Sequence, residues 1–389
     1  MLAVDIHRDD SGARFRRTPR PVDLVLAPSG TPWETIATTE QTWALDVSTG
    51  PLARCTLSTA VDSSVIVMTF AHQIADGLSG TAVLRDLVRA MNGDELHPRP
   101  LPVSQEELLD DAARVLTHAR LGGEAAGDGG QASGDGGQAS GARLLAGPAD
   151  AVLSRRGAVR PFDGARPRIE TLIWSKESTD RAISAAHARS TTLHALVTAA
   201  AVRVIFADTG RASLALMNPM DIRRPAGADD SLSLSFLSTR LGFLAERSGD
   251  IWALAQEIRQ ELKEAQTLSN LAAAAAGMSA GTSSITRVAD AVEAMVSFAN
   301  YDLMVTNLGD LGRPRGRGVA DSHRVEIVDL FGPTMATQID GEQILALSTF
   351  DGALRTTITT RHPLRGFLAR IRDEVESALS AERTTIPVA

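Results

Sequence analysis

The sequence predicts an α/β protein built from two similar lobes. Predicted strands and helices alternate through residues 1–120, and a second block of strands and helices begins after Pro161. A glycine-rich repeat separates the two blocks, and a chain of 389 residues is long enough for two or three domains of roughly 150 residues each. We therefore expect an N-terminal lobe over residues 1–150 and a C-terminal lobe over residues 160–389.

The predicted N-terminal lobe contains three strands and two helices. The strands are expected at residues 2–7, 53–61 and 63–72. The second and third strands should pair as antiparallel neighbours across a polar turn near Asp62. A helix follows over residues 81–93, and another over residues 104–120 begins with a capping box formed by Ser104 and Glu107.

Residues 122–143 contain two direct copies of GDGGQAS. This composition cannot bury enough apolar surface to offset the entropy that ordering would cost. We expect a disordered insertion without chemistry, close to the boundary between the lobes.

The predicted C-terminal lobe repeats the mixed pattern. Strands are expected at residues 168–175, 213–224, 231–244, 301–309 and 323–332, followed by a hairpin over 343–360. Asp351 and Gly352 form the hairpin turn. Helices are expected at residues 178–190, 191–210, 249–267 and 366–382.

Composition excludes several classes of protein. The net charge of −8 argues against nucleic acid as the main partner, because phosphate neutralisation needs a basic face. Cys55 is the only cysteine, which rules out an internal disulfide framework and a cysteine-rich metal site. The start of the chain shows no signal-peptide pattern, and no apolar run reaches the roughly 18 residues of a membrane span. A cytoplasmic enzyme fits these observations.

The stretch AHQIADGLSG, residues 71–80, is the main candidate site. His72 ends a buried strand, Asp76 follows four residues later, and Gly77 permits a tight backbone turn. An imidazole at the rim of a sheet titrates near neutral pH and can take a proton from an alcohol or an amine. The alternative is that His72 and Asp76 only satisfy backbone groups in a turn between a strand and a helix.

Spacing excludes three other catalytic motifs in this stretch. GLSG is one residue too short for the G-x-S-x-G of a hydrolase. A zinc helix requires H-E-x-x-H, and no second histidine lies near His72. No G-x-x-x-x-G-K-[ST] phosphate loop is present, so no metal or nucleotide site is predicted.

HQIADG matches the H-x-x-x-D-G motif of the chloramphenicol acetyltransferase-like superfamily. The chain therefore resembles members of this superfamily. PMDIRRP, VTNLGDLG and STFDGALRTTI follow in the expected order, so the resemblance spans nearly the whole chain. It is closest to the two-lobed branch that holds nonribosomal peptide synthetase condensation domains and polyketide-associated acyltransferases. The resemblance implies two such lobes, each a mixed sheet with helices, in a V-shaped pseudo-dimer with a central tunnel.

Other branches of the superfamily fit less well. Dihydrolipoamide acyltransferases carry the motif near the C-terminus, whereas most of this chain follows His72, as in a monomer that carries both lobes. The D-F-G-W-G motif of the plant acyltransferases is absent. Amide-forming condensation domains usually have two consecutive histidines, and the first position here is Ala71, which favours the free-standing acyltransferases.

The resemblance implies a role for each matched residue. His72 would be the general base, and Asp76 would be structural and held by an arginine, for which Arg223 is the candidate. Asn307, Leu308 and Gly309 would line the tunnel. The alternative for Arg223 is a surface turn, and for the other three it is ordinary packing.

The reaction implied is transfer of an acyl group from a phosphopantetheine thioester, on an acyl carrier protein or coenzyme A, to a hydroxyl acceptor. No permanently bound cofactor is expected. An amide-forming enzyme that uses a peptidyl carrier protein and an amine acceptor is the alternative. A non-catalytic homologue that only binds a carrier is another. A helix and a strand that usually precede the first matched stretch are missing here, so the resemblance also predicts a trimmed lobe or a start codon placed too late.

GRPRGRG is a dense basic loop in this acidic chain. Its arginines, Arg313, Arg315 and Arg317, follow the predicted tunnel segment directly. They are candidates for docking the acidic face of a carrier protein or the phosphates of coenzyme A. The alternative is a solvated turn.

Overall fold

The computed structural model describes residues 3–9, 12–98, 103–110, 112, 158–160, 163–228, 232–298, 300–312 and 324–383. The insertion predicted at residues 122–143 lies outside these residues. The three arginines of the basic loop, Arg313, Arg315 and Arg317, also lie outside them. Both predictions therefore stay predictions.

The described N-terminal half contains a hairpin, a three-stranded sheet and flanking helices. Its elements are β1 (Val4–Asp9), β2 (Gly12–Arg17), β3 (Asp23–Leu26), α1 (Trp33–Glu40), β4 (Ala53–Thr59), β5 (Ser64–Phe70) and α2 (Gly77–Met91). β1 pairs antiparallel with β2, and the sheet has the order β3-β4-β5. β3 runs parallel to β4, and β4 runs antiparallel to β5. The predicted antiparallel pair over residues 53–72 is confirmed.

Local capping defines where the helices of this half begin. The Asp76 side chain accepts a hydrogen bond from the backbone N–H of Ser79 and caps α2. The helix therefore starts four residues before the predicted residue 81. The predicted capping box is present at a helical turn over residues 105–110. Ser104 Oγ accepts from Glu107 N at 3.1 Å, and Glu107 Oε2 accepts from Ser104 N at 3.3 Å.

The C-terminal half is a six-stranded mixed sheet covered by helices. Its elements are β6 (Arg168–Ile173), α3 (Lys176–Ala188), α4 (Leu193–Thr209), β7 (Ser213–Asp221), α5 (Arg223–Ala226), β8 (Phe236–Leu244), α6 (Ile251–Ala265), α7 (Leu268–Thr282), α8 (Val288–Phe298), β9 (Leu303–Asp310), β10 (Gln343–Phe350), β11 (Ala353–Thr360) and α9 (Phe367–Arg383). The strand order is β6-β11-β10-β9-β7-β8. β9 runs parallel to both β7 and β10, and the other neighbours are antiparallel.

Helix α4 forms the centre of the core in this half. Thr192 caps its N-terminus, and Gly210, with φ of 62°, ends it in the left-handed conformation. Apolar residues occupy all sides of the helix, and Leu196 and Val202 are fully buried. They pack in one cluster with residues of β7 to β11 and of helices α6 and α9. A helix that is apolar on all sides is expected at the centre of a core.

The strand predicted at residues 323–332 is wrong for the part that the structure describes. Residues 324–332 belong to no strand and cross between the halves instead. Asn92 of the N-terminal half donates to Val325 O at 2.9 Å and accepts from Val325 N at 2.8 Å. Leu330 and Ile327 pack in one cluster that includes Leu84 of α2 in the N-terminal half. The alternating apolar residues therefore serve contacts between the halves, and the backbone bonds to side chains rather than to a neighbouring strand.

Other differences concern elements that the sequence pattern left unassigned. β2, β3, α1, α7 and α8 were not predicted, and β8 begins at Phe236 rather than at residue 231. Among the described residues no single helix is long and apolar enough to cross a bilayer, and only α3 with α4, bent by 98°, reaches that length as a pair. The described residues also contain no cluster of three or more His, Cys, Asp or Glu side chains that could hold a metal ion.

Candidate functional site

An ion pair between Asp76 and Arg223 joins the two halves. Arg223 Nη2 lies 2.7 Å from Asp76 Oδ2, and both side chains are buried. Arg223 Nη1 also donates to Asp221 Oδ1 at 2.6 Å. The sequence resemblance nominated Arg223 as the partner of Asp76, and the structure places the two in direct contact. The local structure brings Arg223 to Asp76, because β7 ends at Asp221 and the one-turn helix α5 starts two residues later, at Arg223.

The remaining lone pairs of the Asp76 carboxylate are also used. Oδ1 accepts from the backbone N–H and the hydroxyl of Ser79, each at 2.9 Å. Oδ2 accepts from the backbone N–H of Ser235 at 3.0 Å. A buried carboxylate with an arginine and three further donors is fully satisfied. Asp76 is therefore arranged to hold the turn in place and not to transfer a proton.

His72 lies on the same turn with its ring exposed. Its Nδ1 is 2.9 Å from the carbonyl oxygen of Ala75, and its ring stacks on Phe236 of β8, with centroids 5.3 Å apart and planes at 28°. A carbonyl oxygen can only accept a hydrogen bond, so Nδ1 carries the proton in the neutral ring. The lone pair then lies on Nε2. This tautomer is the one that a general base requires.

Two cavities meet at His72. The larger, of about 620 Å³, lies against the N-terminal half and is lined by residues of α1, β5 and α2 and by residues 330–337. The smaller, of about 240 Å³, lies against β7, β8 and β9 of the C-terminal half. His72, Leu308 and Met335 line both cavities. The imidazole therefore borders both cavities, one formed mainly by each half.

Gly77 allows close approach of Leu308 in β9 and of Pro333. A Cβ at this position would lie 2.6 Å from Leu308 Cδ2 and 3.4 Å from Pro333 Cγ, and contacts below about 3 Å force a neighbour to shift. Because Leu308 and Pro333 line both cavities, the glycine keeps this wall against the turn that carries His72 and Asp76.

The two other residues predicted to line the tunnel behave differently from each other. Asn307 lines the smaller cavity, and its Oδ1 accepts from Gly309 N at 2.9 Å. Gly309 itself is not among the described residues that line either cavity. It has a φ of +72° and open space where a Cβ would lie. Its contribution is the backbone turn after Asn307, for which a glycine is favoured.

The structure adds residues to the site that sequence reasoning missed. Phe236 and Ser238 of β8, and Tyr301 and Thr337, line the smaller cavity. Phe236 and Ser238 are two residues apart and so project on the same face of the strand, but nothing in the sequence shows that His72 lies against that face. Tyr301 is the only tyrosine of the chain, and this was the one feature of the sequence that could have pointed to it as a site residue.

Tyr301 is held in its protonated form. Its hydroxyl donates to Glu342 Oε2 at 3.0 Å. Burial raises the pKa of Tyr301 well above its usual value, and the neighbouring Glu342 carboxylate adds to that rise. The side chain is therefore a neutral hydrogen-bonding wall of the cavity and not a base.

Solved structures with the same fold exist at low sequence identity. The first condensation domain of the CDA synthetase is 12% identical, with a TM-score of 0.58 over 97% of this chain and 84% of that chain. Polyketide synthase associated protein 5 from Mycobacterium tuberculosis is 15% identical, with a TM-score of 0.55 over 98% of this chain and 87% of that chain. The chain has the fold of the condensation domains. No protein-family model and no curated protein sequence matches it.

This fold hosts more than one reaction. The epimerization domain from the third module of tyrocidine synthetase B is also similar, at 12% identity and a TM-score of 0.56 over 98% of this chain and 84% of that chain. The two-lobed architecture expected from the sequence is thus shown, whereas the reaction has to be argued from the site.

Proposed function

We propose that this protein is an acyltransferase that moves an acyl group from a phosphopantetheine thioester to a hydroxyl acceptor. The observation that carries the proposal is the tautomer and position of His72. Nδ1 is committed to the Ala75 carbonyl, and the ring lies where the two cavities meet. Two substrates that enter from opposite sides would come together at Nε2.

The reaction then requires one proton transfer in each direction. Nε2 of His72 removes the proton of the acceptor hydroxyl as its oxygen attacks the thioester carbonyl. The tetrahedral intermediate collapses with cleavage of the carbon–sulfur bond, and the protonated imidazole returns its proton to the leaving thiolate. Products are an ester and a free thiol, and no oxidant or metal is needed.

The developing oxyanion needs a hydrogen-bond donor. Ser238 is a hydroxyl on the cavity face of β8, on the same face as Phe236, whose ring stacks on His72. We assign the donor role to Ser238 as part of the proposal. Replacement of one such donor typically costs about 10²–10³-fold in turnover.

An amide-forming enzyme is the alternative reaction, because an amine acceptor would use the same base. A non-catalytic homologue that only binds a carrier protein is the alternative from another class. The free Nε2 of His72 and the open cavities on both sides of it favour an enzyme over a binding protein. Ala71 in place of a second histidine favours the ester over the amide.

Incubation of the protein with candidate acyl thioesters and acceptors tests the proposal. Acyl coenzyme A and acyl carrier protein are supplied separately, each with a primary alcohol or a primary amine, and acyl loss is followed by intact mass. Ester formation that is lost in His72→Ala supports the proposal. Amide formation alone favours the alternative reaction. Carrier binding without any turnover contradicts the enzymatic assignment.

The donor side of the proposal rests on the basic loop. If Arg313, Arg315 and Arg317 meet the acidic donor, their triple replacement by serine raises the Michaelis constant for the donor, most at low ionic strength. The Michaelis constant for the acceptor should stay unchanged. Donor kinetics that do not change at low salt would mean that the loop is only a turn.

A further inference from the structure

Methionines concentrate around the smaller cavity. Of the nine methionines in the chain, four line this cavity: Met217, Met295, Met304 and Met335. Phe236, Phe298 and Pro219 extend the apolar wall. Methionine is unbranched and flexible, so it adapts to the shape of a ligand better than a branched side chain does. The wall is therefore suited to an apolar group of variable shape.

The charged side chains at this cavity are already paired. Among the described residues, the charged side chains that line it, apart from His72, are Asp76, Asp221 and Arg223. Arg223 bonds both carboxylates, at 2.7 Å and 2.6 Å. A ligand that carried an ammonium or a carboxylate into this space would lose its hydration and find no new partner of opposite charge, which is costly. The chemistry of the wall thus favours a neutral, apolar ligand group over an ionised one.

The volume of the cavity limits the size of that group. An apolar cavity of about 150 Å³ holds one benzene ring, so a cavity of about 240 Å³ holds on the order of eight to ten carbons. His72 lines this cavity together with Met295 and Phe298 of α8, and both α8 side chains are also exposed. A chain inserted from the α8 side would present its functional group to the imidazole.

We propose that the smaller cavity binds an aliphatic chain of on the order of eight to ten carbons. This inference rests on the proposed acyl transfer at His72. The chain belongs either to the acyl donor or to the alcohol acceptor, since both present a reacting carbon or oxygen next to an alkyl chain. Each additional methylene buried in the cavity tightens binding about fourfold until the cavity is full.

β7 offers a matched pair of variants for the test. Met217 and Met220 lie on this strand, and both are 4% exposed. Met217 lines the cavity, whereas Met220 faces the other side and packs with Ile222, Leu237 and Leu271. Met217→Ala enlarges the cavity by about three heavy atoms, and Met220→Ala removes the same atoms from the neighbouring core. Both should lose stability, but only Met217→Ala should change the ligand preference.

The experiment measures binding by calorimetry to the His72→Ala protein, which prevents turnover. One series consists of straight-chain primary alcohols of increasing length, and the other consists of straight-chain N-acetylcysteamine thioesters. The length at which affinity stops rising should be near eight to ten carbons, and Met217→Ala should move it by about three carbons. Met220→Ala should leave it in place. The series that shows this dependence identifies the substrate that carries the chain.

A second pair covers the case in which the cavity variant fails to fold. Met295 is 41% exposed and lines both cavities, and Met91, at the end of α2, is 54% exposed and lines neither of them. Met295→Trp should weaken binding of long chains at least tenfold, and Met91→Trp should not. Affinity that is independent of chain length in both series, or equal effects of both members of a pair, overturns the inference. If the unmodified protein transfers acyl groups but affinity does not depend on chain length, the proposed function holds and the inference about the cavity is wrong. If affinity depends on chain length but no acyl transfer occurs, only the inference about the cavity holds.

Discussion

Asp76 and His72 lie four residues apart in one turn but are held in opposite ways. The Asp76 side chain is 9% exposed and accepts four hydrogen bonds, from Ser79, Arg223 and Ser235. His72 is exposed and, within the described part of the chain, has one hydrogen bond, to Ala75, besides its contact with Phe236. A carboxylate without a free lone pair supports structure, whereas an imidazole with a free Nε2 is available for chemistry.

The two arrangements depend on each other. Ala75, whose carbonyl fixes the tautomer of His72, directly precedes Asp76 in the chain. The bonds from Asp76 to Arg223 and Ser235 therefore also fix the position of that carbonyl. Substitutions at Asp76 should act on stability first and on catalysis through His72, and substitutions at His72 should act on catalysis alone.

The largest effect is expected for His72→Ala. General acid–base catalysis contributes about 10²–10⁴-fold, so acyl transfer should fall by that factor. The melting temperature should stay within a degree or two of the original, since an exposed ring leaves no cavity. Turnover and thermal unfolding of the two proteins are the measurements. Near-normal turnover of the alanine variant would remove His72 from the mechanism.

Asp76→Asn should produce the opposite pattern, with a large loss of stability. The substitution leaves Arg223 buried without its main counter-charge, which costs about 3–5 kcal/mol in the free energy of unfolding. The lower end is expected because Asp221 still bonds Arg223. Urea unfolding of Asp76→Asn, Arg223→Ala and the double variant should show less than additive losses. The exposed neighbour Arg224 provides the control, and Arg224→Ala should change stability little. Full additivity would mean that the pair is not energetically coupled.

Phe236→Leu tests whether the stacked ring positions the imidazole. Such contacts contribute about 0.5–1.5 kcal/mol, so turnover should fall between twofold and tenfold. Phe243 on the same strand is buried in the core of the C-terminal half. Phe243→Leu should lower the melting temperature without a specific effect on turnover. If both variants lose turnover only in proportion to stability, the stacking has no positioning role.

The sequence predicted the elements whose pattern is local. The apolar helix α4, ended by Gly210, and the hairpin turn at Asp351 and Gly352 are present as predicted, because capping and turn residues act within a few positions. The candidate base and its carboxylate neighbour were found in the same way, since H-x-x-x-D-G is a continuous stretch.

What the sequence could not predict depends on contacts between distant segments. Residues 324–332 have the alternation of a strand, yet the backbone groups of Val325 bond to the side chain of Asn92 in the other half. Periodicity does not show whether a backbone will bond to a neighbouring strand or to a side chain. The stacking of Phe236 on His72 and the gathering of four methionines at one cavity also bring together residues far apart in the chain. Arg223 is the exception among these distant contacts, since the family resemblance indicated it as the partner of Asp76 and spacing alone could not.

The smallest effect is expected for Ser79→Ala. Ser79 is 1% exposed, and its hydroxyl lies 2.9 Å from both Asp76 Oδ1 and Arg223 Nη2. Its backbone N–H to Asp76 remains in the variant, so the helix cap persists, and the hydroxyl loses its contacts with Asp76, Arg223 and the carbonyl oxygen of Ser233. Each partner keeps other hydrogen bonds, and one buried hydrogen bond contributes about 0.5–1.5 kcal/mol, so the free energy of unfolding should fall by about that amount. Turnover should be unchanged, because the Ala75 carbonyl keeps its place as long as Asp76 stays paired with Arg223. Urea unfolding and steady-state kinetics on the same preparation measure both quantities. A tenfold loss of turnover at unchanged stability would mean that the network around Asp76 acts on the reaction directly, and the division between a structural carboxylate and a chemical imidazole would be wrong.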